Sequence, residues 1–222
     1  MLPKVEILYE DNHIIAIDKP PGMLSQGDST GDLDVLTLVK ELIRQRDQKP
    51  GNVYLGLVHR LDRPVGGVMV LAKTSKAAGR LSRQIRERET RKIYRAVVQG
   101  ALTPKEAALE HFLSKDKKSR VTTLVDLSAQ GKRAKLSYRV LAIKNERSLV
   151  EIDLETGYSH QIRAQLSAVG HPLIGDRKYG STIAFVKGRI ALYSKSITFM
   201  HPTRKSPLTI TAEPPSNWPF DC

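Results

Sequence analysis

The densest set of polar side chains in this 222-residue chain is His59-Arg60-Leu61-Asp62-Arg63. It stands between two short apolar runs, Leu55–Val58 and Gly67–Ala72. A loop held between two buried strands is a rigid mount for a catalytic carboxylate, and Asp62 is the candidate. The plainer reading is a turn in which Asp62 pairs with Arg60 or Arg63. His-Arg-Asp also opens a kinase catalytic loop, but Leu61 interrupts the triplet, and the Asp-Phe-Gly and glycine-rich signatures are missing. A second cluster, Gly157-Tyr158-Ser159-His160-Gln161-Ile162-Arg163, opens a helix read over 160–169. At helical spacing, Ile162, Leu166 and Val169 fall on one face and His160, Arg163 and Ser167 on another. That leaves Arg163 available to a site, or simply on a solvated face. An arginine beside a carboxylate keeps it ionised and orients it. Third, Tyr94 lies within Lys92–Val98. Such a residue packs in a core, or offers a ring for stacking and a hydroxyl for proton transfer.

The elements that must position these residues are legible in outline. Val5–Tyr9 and Ile14–Ile17 flank Asp11-Asn12-His13, a hairpin pattern, and Lys19-Pro20-Pro21-Gly22 stops its second strand. Asp34 caps a helix to Arg46, with Val35, Leu38, Val39, Leu42 and Ile43 at helical spacing. Gly67–Ala72 is apolar throughout, as a strand buried on both faces would be. Ser75 to Glu89 reads as a helix, with Ala78, Leu81 and Ile85 inward and Lys76, Arg80 and Arg83 as an outward basic stripe. From Thr103 to Arg133 the signal is weak, apart from a charged loop at 115–120. Strands are expected over Ile93–Gln99, Leu136–Ile143, Leu149–Leu154, Ile190–Phe199 and Leu208–Ala212, with a proline-rich tail beyond. Strands outnumber helices, and many turns are too short for parallel crossovers. The expected fold is α+β, a mixed and largely antiparallel central sheet flanked by helices, in a single domain over 1–222.

Composition bounds the function classes. Lys plus Arg is 36 against 23 Asp plus Glu, a formal net charge of +13. Such a balance favours a polyanionic partner. The single cysteine, Cys222, excludes an intrachain disulfide and a thiolate metal cluster. It fits a reducing cytoplasm. The six histidines show no metal-ligand spacing, so no metal site is expected. No apolar run approaches the ~20 residues of a spanning helix, and the N-terminus lacks a signal-peptide apolar stretch.

Taken in order, the clusters resemble the RluA-type RNA pseudouridine synthases. His59–Asp62 resembles that family's catalytic motif, Val68–Thr74 the strand after it, and Lys92–Gly100 its tyrosine strand. Gly157–Arg163 resembles its arginine motif, His171–Gly180 the following loop, and Asp18–Gly22 the N-terminal motif. Val65-Gly66-Gly67 stands where relatives often carry Thr-Ser-Gly; its glycines still permit a tight turn. The resemblance implies a pseudouridine synthase catalytic fold and a cofactor-free isomerisation of uridine in structured RNA, transfer or ribosomal. Asp62 would be the essential carboxylate, Arg163 its partner, and Tyr94 the residue against the uracil. The target base must leave its stack. Arg60 would fill the gap, with His59, Lys19 and His160 as further RNA contacts. Lys76, Arg80, Arg83 and the loop around Lys117 are candidates for phosphate. The chain begins at the first hairpin, so no separate N-terminal RNA-binding domain is expected. A monomer in the cytoplasm is expected too. The alternatives are a catalytically silent relative acting as an RNA chaperone, and a basic scaffold in ribosome assembly.

Overall fold

The computed structural model describes residues 5–48, 50–116, 121–126 and 131–220. The expected phosphate contact at Lys117 lies outside the described residues, as does Cys222. The chain divides into two compact units, Met1–Arg91 with Ser194–Glu213 and Lys92–Tyr193 with Pro214–Cys222.

In the first unit, β1 (Glu6–Glu10) and β2 (Ile14–Lys19) form the expected antiparallel hairpin. Asp11 closes its turn: Oδ1 accepts the amides of His13 at 2.8 Å and Ile14 at 3.0 Å, the local bonding that suits aspartate to turns. Helix α1 (Val35–Arg46) starts where Asp34 accepts from the Thr37 amide. That N-cap satisfies an amide with no intrahelical partner. The two-residue strand β3 (Gly56–Leu57) pairs with one end of β4 (Gly66–Ala72), and every residue of β4 is buried. Strand β2 pairs along β4 from Ile14 opposite Ala72 to Lys19 opposite Gly67. Helix α2 (Ser75–Arg86) is capped by Thr74 and ends before Glu89. Leu81 is buried as expected and Ala78 packs half-buried against the core; Ala77 and Gln84 are buried as well, and Ile85 is half-buried. The Gln84 amide is spent on backbone. Its Nε2 donates to the Met200 carbonyl and its Oε1 accepts the Met200 amide.

Here β4 neighbours β10 (Leu192–Met200), which pairs antiparallel with β11 (Pro207–Thr211). The core gathers Ile14, Val70, Leu81, Ile197, Phe199 and Ile210. Burying a side chain of this size contributes about 1.5–3 kcal/mol.

The second unit orders its strands β5-β9-β8-β6-β7, each adjacent pair antiparallel. These are β5 (Arg91–Gln99), β6 (Glu106–Lys115), β7 (Thr122–Val125), β8 (Lys132–Lys144) and β9 (Arg147–Leu154). Asn145 and Glu146 join β8 to β9 with φ of 51° and 54°, the left-handed pair that two-residue hairpins require. The weak stretch after Thr103 holds β6 and β7. Ala, Glu and Leu dominate β6, so helix-forming residues hide a strand that its neighbours impose.

Helix α3 (Gln161–Ala168) is followed by Gly170 at φ +84°, the left-handed stop expected there. Val169 is exposed rather than on the apolar face. Among the described residues no helix is long and apolar enough to cross a membrane. Among the described residues the architecture is α+β, with largely antiparallel strands and three α-helices.

Candidate active site

The loop that carries Asp62 is fastened from one side by the segment after β2. Ser25 Oγ donates to the Leu61 carbonyl at 2.7 Å and accepts the Leu61 amide at 3.1 Å. The Gly22 amide donates to the Arg63 carbonyl at 2.7 Å, and Arg63 Nε returns a bond to the Gly22 carbonyl at 3.1 Å. Val65 N–H donates to the Asp62 carbonyl, closing a turn over residues 62–65. His59 anchors the loop's start, its Nε2 accepting the Val70 amide at 2.9 Å. The backbone on both sides of Asp62 is thereby fixed, while the Asp62 side chain is only half-buried. Arg60 is exposed. Arg63, one of two arginines weighed as a turn partner for Asp62, reaches Asp32 at 2.8 Å.

Lys19 is fully buried, not set on a surface. Its ammonium donates to the carbonyls of Pro20 at 3.0 Å, Met23 at 2.7 Å and Arg63 at 3.3 Å. Burial pulls its pKa down to about 7, against the charges of Asp62 and Asp18, which favour the ammonium. A lysine expected to meet RNA instead ties the N-terminal motif to the Asp62 loop.

Gly67 explains why this turn needs glycine. Its φ is +112°, and a Cβ placed there would lie 2.3 Å from the Ser194 carbonyl oxygen. Gly67 therefore serves a close backbone approach as well as a bend.

In the second unit Tyr94 lies on β5 opposite Ile152 and is 8% exposed. Arg163 on α3 is buried, so the solvated-face reading of that position fails. Its Nε donates to Asp176 Oδ2 at 2.7 Å and its Nη2 to Asp176 Oδ1 at 2.8 Å. This is the two-pronged geometry that holds a guanidinium plane. The Tyr179 ring lies 4.7 Å from the guanidinium carbon, adding a cation–π contact.

Tyr179 also orders His160. The phenol oxygen accepts the Thr122 amide at 2.9 Å and lies 2.8 Å from His160 Nδ1. Which of the two donates depends on the imidazole tautomer. Burial raises the Tyr179 pKa and keeps the phenol protonated. His160 sits at φ +56° immediately before α3 and makes no side-chain cap. Arg163, Asp176, Tyr179 and His160 thus form one bonded cluster.

The sequence did not single out Ser25, Asp176 or Tyr179 for these contacts. The run His171–Gly180 marked the segment, but the pairing of Asp176 with Arg163 spans two elements and leaves no spacing signal.

Residues 13–168 match the family model described as RNA pseudouridylate synthase. The chain belongs to this family. The matched span includes the positions of Asp62, Tyr94 and Arg163. The family's reaction converts uridine to pseudouridine within RNA, an isomerisation.

Two curated relatives are ribosomal large subunit pseudouridine synthase D of Xylella fastidiosa and ribosomal large subunit pseudouridine synthase C of Buchnera aphidicola. The first is 33% identical over 96% of this chain and 67% of its own length. The second is 32% identical over 93% of this chain and 66% of its own. The chain thus spans about two thirds of the length of these relatives. The solved structure of human RNA pseudouridylate synthase domain containing 4 superposes with a TM-score of 0.80 at 23% identity. It covers 95% of this chain and 89% of that one, and shows a shared pseudouridine synthase fold.

Proposed function

We propose that this chain isomerises specific uridines of large-subunit ribosomal RNA, acting as a monomer in the cytoplasm with Asp62 as its essential carboxylate. The observation that carries the reading is the family match over residues 13–168. The ribosomal target is taken from the names of the relatives at 32–33% identity.

In this reading the N1–C1′ bond of uridine breaks, the uracil turns, and a C5–C1′ bond forms. The C5 proton is lost and N1 gains one, so no electrons are exchanged. Asp62 engages the substrate covalently or by proton abstraction. The clamp of Ser25, Gly22 and His59 on its loop holds the carboxylate's backbone still, and such positioning is a large part of catalysis. Arg163, held in place by Asp176, is the arginine that serves the same reaction. Tyr94 sits against the base, and Arg60 holds the space it vacates. These roles rest on the resemblance of their motifs.

The test offers transcripts of large-subunit ribosomal RNA and of transfer RNA to the chain, then maps pseudouridine by carbodiimide-dependent primer-extension stops. The expected result is conversion at discrete ribosomal positions. Conversion in transfer RNA alone would contradict the ribosomal target. Binding without conversion of either RNA would favour the chaperone reading.

A further inference from the structure

A cavity of about 370 Å³ opens in the first unit between α2 and the turn from β10 to β11. Arg80, Arg83 and Lys205 line it, with Glu89 as its carboxylate and Met200 and Pro202 as apolar surface. We propose that this groove binds the RNA backbone several nucleotides from the target uridine, as a docking site separate from the Asp62 loop. The inference rests on the activity proposed above and adds where the flanking RNA is held.

The register fixes the groove's place. Lys19 ends β2 at the Asp62 loop, where its ammonium meets the Arg63 carbonyl. Asp11 lies before the other end of β2, and its carboxylate holds His201 at 2.7 Å and Arg204 at 2.7 Å. Between these ends β2 runs six residues, about 20 Å at ~3.3 Å per residue. The groove therefore meets RNA several nucleotides from the base that reacts.

Its walls are already fixed. The Gln84 amide grips Met200 by two bonds, and Arg80 Nη1 donates to the Pro202 carbonyl at 2.5 Å. His201 Nδ1 accepts the amides of Thr203 and Arg204, so its proton is on Nε2, facing Asp11. A preformed site avoids the entropy of ordering it on binding.

Cations supply the affinity. Arg83 and Lys205 are exposed and stand on opposite walls. The partner of Arg83 is Glu87 at 3.6 Å, with both side chains largely in water. A surface pair of this kind is weak, so a phosphate can replace Glu87. Lys205 sits at φ +56°, where turn geometry favours glycine or asparagine; the residue present is a cation. Exposed Met200 offers a face for ribose or base. Cations on both walls suit a strand of phosphodiesters running between them, and the chain's net charge of +13 favours a polyanion over one small anion.

The experiment measures binding of two transcripts, a large-subunit ribosomal RNA hairpin with a loop uridine and the same hairpin extended by a further helical turn, across a salt series. Wild-type protein should bind the extended RNA more tightly. The double variant Arg83→Glu/Lys205→Glu should lose that preference, and its log–log salt slope should fall by about two. Glu89→Gln should tighten binding of the extended RNA, a gain that misfolding cannot mimic. A double variant that keeps both the preference and the slope overturns the proposal, as does a Glu89→Gln protein with unchanged affinity.

Pseudouridine is scored in the same wild-type reactions. Groove-dependent binding without conversion would overturn the activity and leave the groove. Conversion with groove-independent binding would do the reverse.

Discussion

Arg163 shows how much one residue's role depends on what surrounds it. Its guanidinium and the Asp176 carboxylate are 7% and 2% exposed and meet through two bonds. A buried pair that loses one member leaves a charge uncompensated, at a cost of about 3–5 kcal/mol. Arg163→Lys keeps the charge and loses the planar fork and its stacking on Tyr179. The expected outcome is a lower melting temperature and a single-turnover rate of pseudouridine formation reduced by at least ~100-fold. A variant with the wild-type rate would remove Arg163 from the chemistry and leave it a packing role. From sequence, Arg163 could be placed on the polar side of a helix but not in or out of solvent. Its acid lies 13 residues on, past Gly170 and Pro172, where no helical period applies. The Asp62 motif was legible because its residues are contiguous. Its clamp was not, because Ser25 lies 36 residues away from Leu61.

At the scale of elements, strand β4 sets the position of the Asp62 loop. It begins at Gly66, one residue past the 62–65 turn, and passes the Ser194 backbone at Gly67. Gly67→Ala forces a Cβ against backbone that cannot yield as a flexible side chain would, in a left-handed conformation that alone costs about 1–3 kcal/mol. The expected result is a denaturant midpoint lowered by more than that strain with the slope unchanged. A midpoint equal to wild type would mean that the turn relaxes without cost. Gly67 was legible as a turn residue, and the close approach that makes it necessary was not. Elements with strong local signals read correctly: the β1–β2 hairpin with Asp11 in its turn, α1 with Asp34 as its cap, and all-apolar β4. Strands β6 and β7 did not: β6 is rich in helix formers and β7 has only four residues, so only their pairing with β8 and with each other decides their state. Helix α2 was found with Leu81 and Ala78 inward, but the burial of a polar side chain, Gln84, was not legible.

For the whole molecule, 36 Lys and Arg against 23 Asp and Glu favour a polyanionic partner, and RNA is one. Charge does not distinguish an RNA-modifying enzyme from an RNA chaperone or an assembly scaffold. A positioned carboxylate does. A protein that only binds needs neither a carboxylate on a clamped loop nor the set of Asp62, Tyr94 and Arg163 that the chain retains. The most direct test compares wild-type protein with Asp62→Asn on large-subunit ribosomal RNA, measuring pseudouridine formed and RNA bound in the same reactions. The substitution keeps the size of the side chain and removes its charge and its nucleophilic oxygen. The account predicts pseudouridine from the wild-type chain alone and none from Asp62→Asn, with RNA affinity within about threefold, since one neutralised charge changes few phosphate contacts. Turnover by Asp62→Asn within about tenfold of wild type, which is only ~1.4 kcal/mol of barrier, would contradict it.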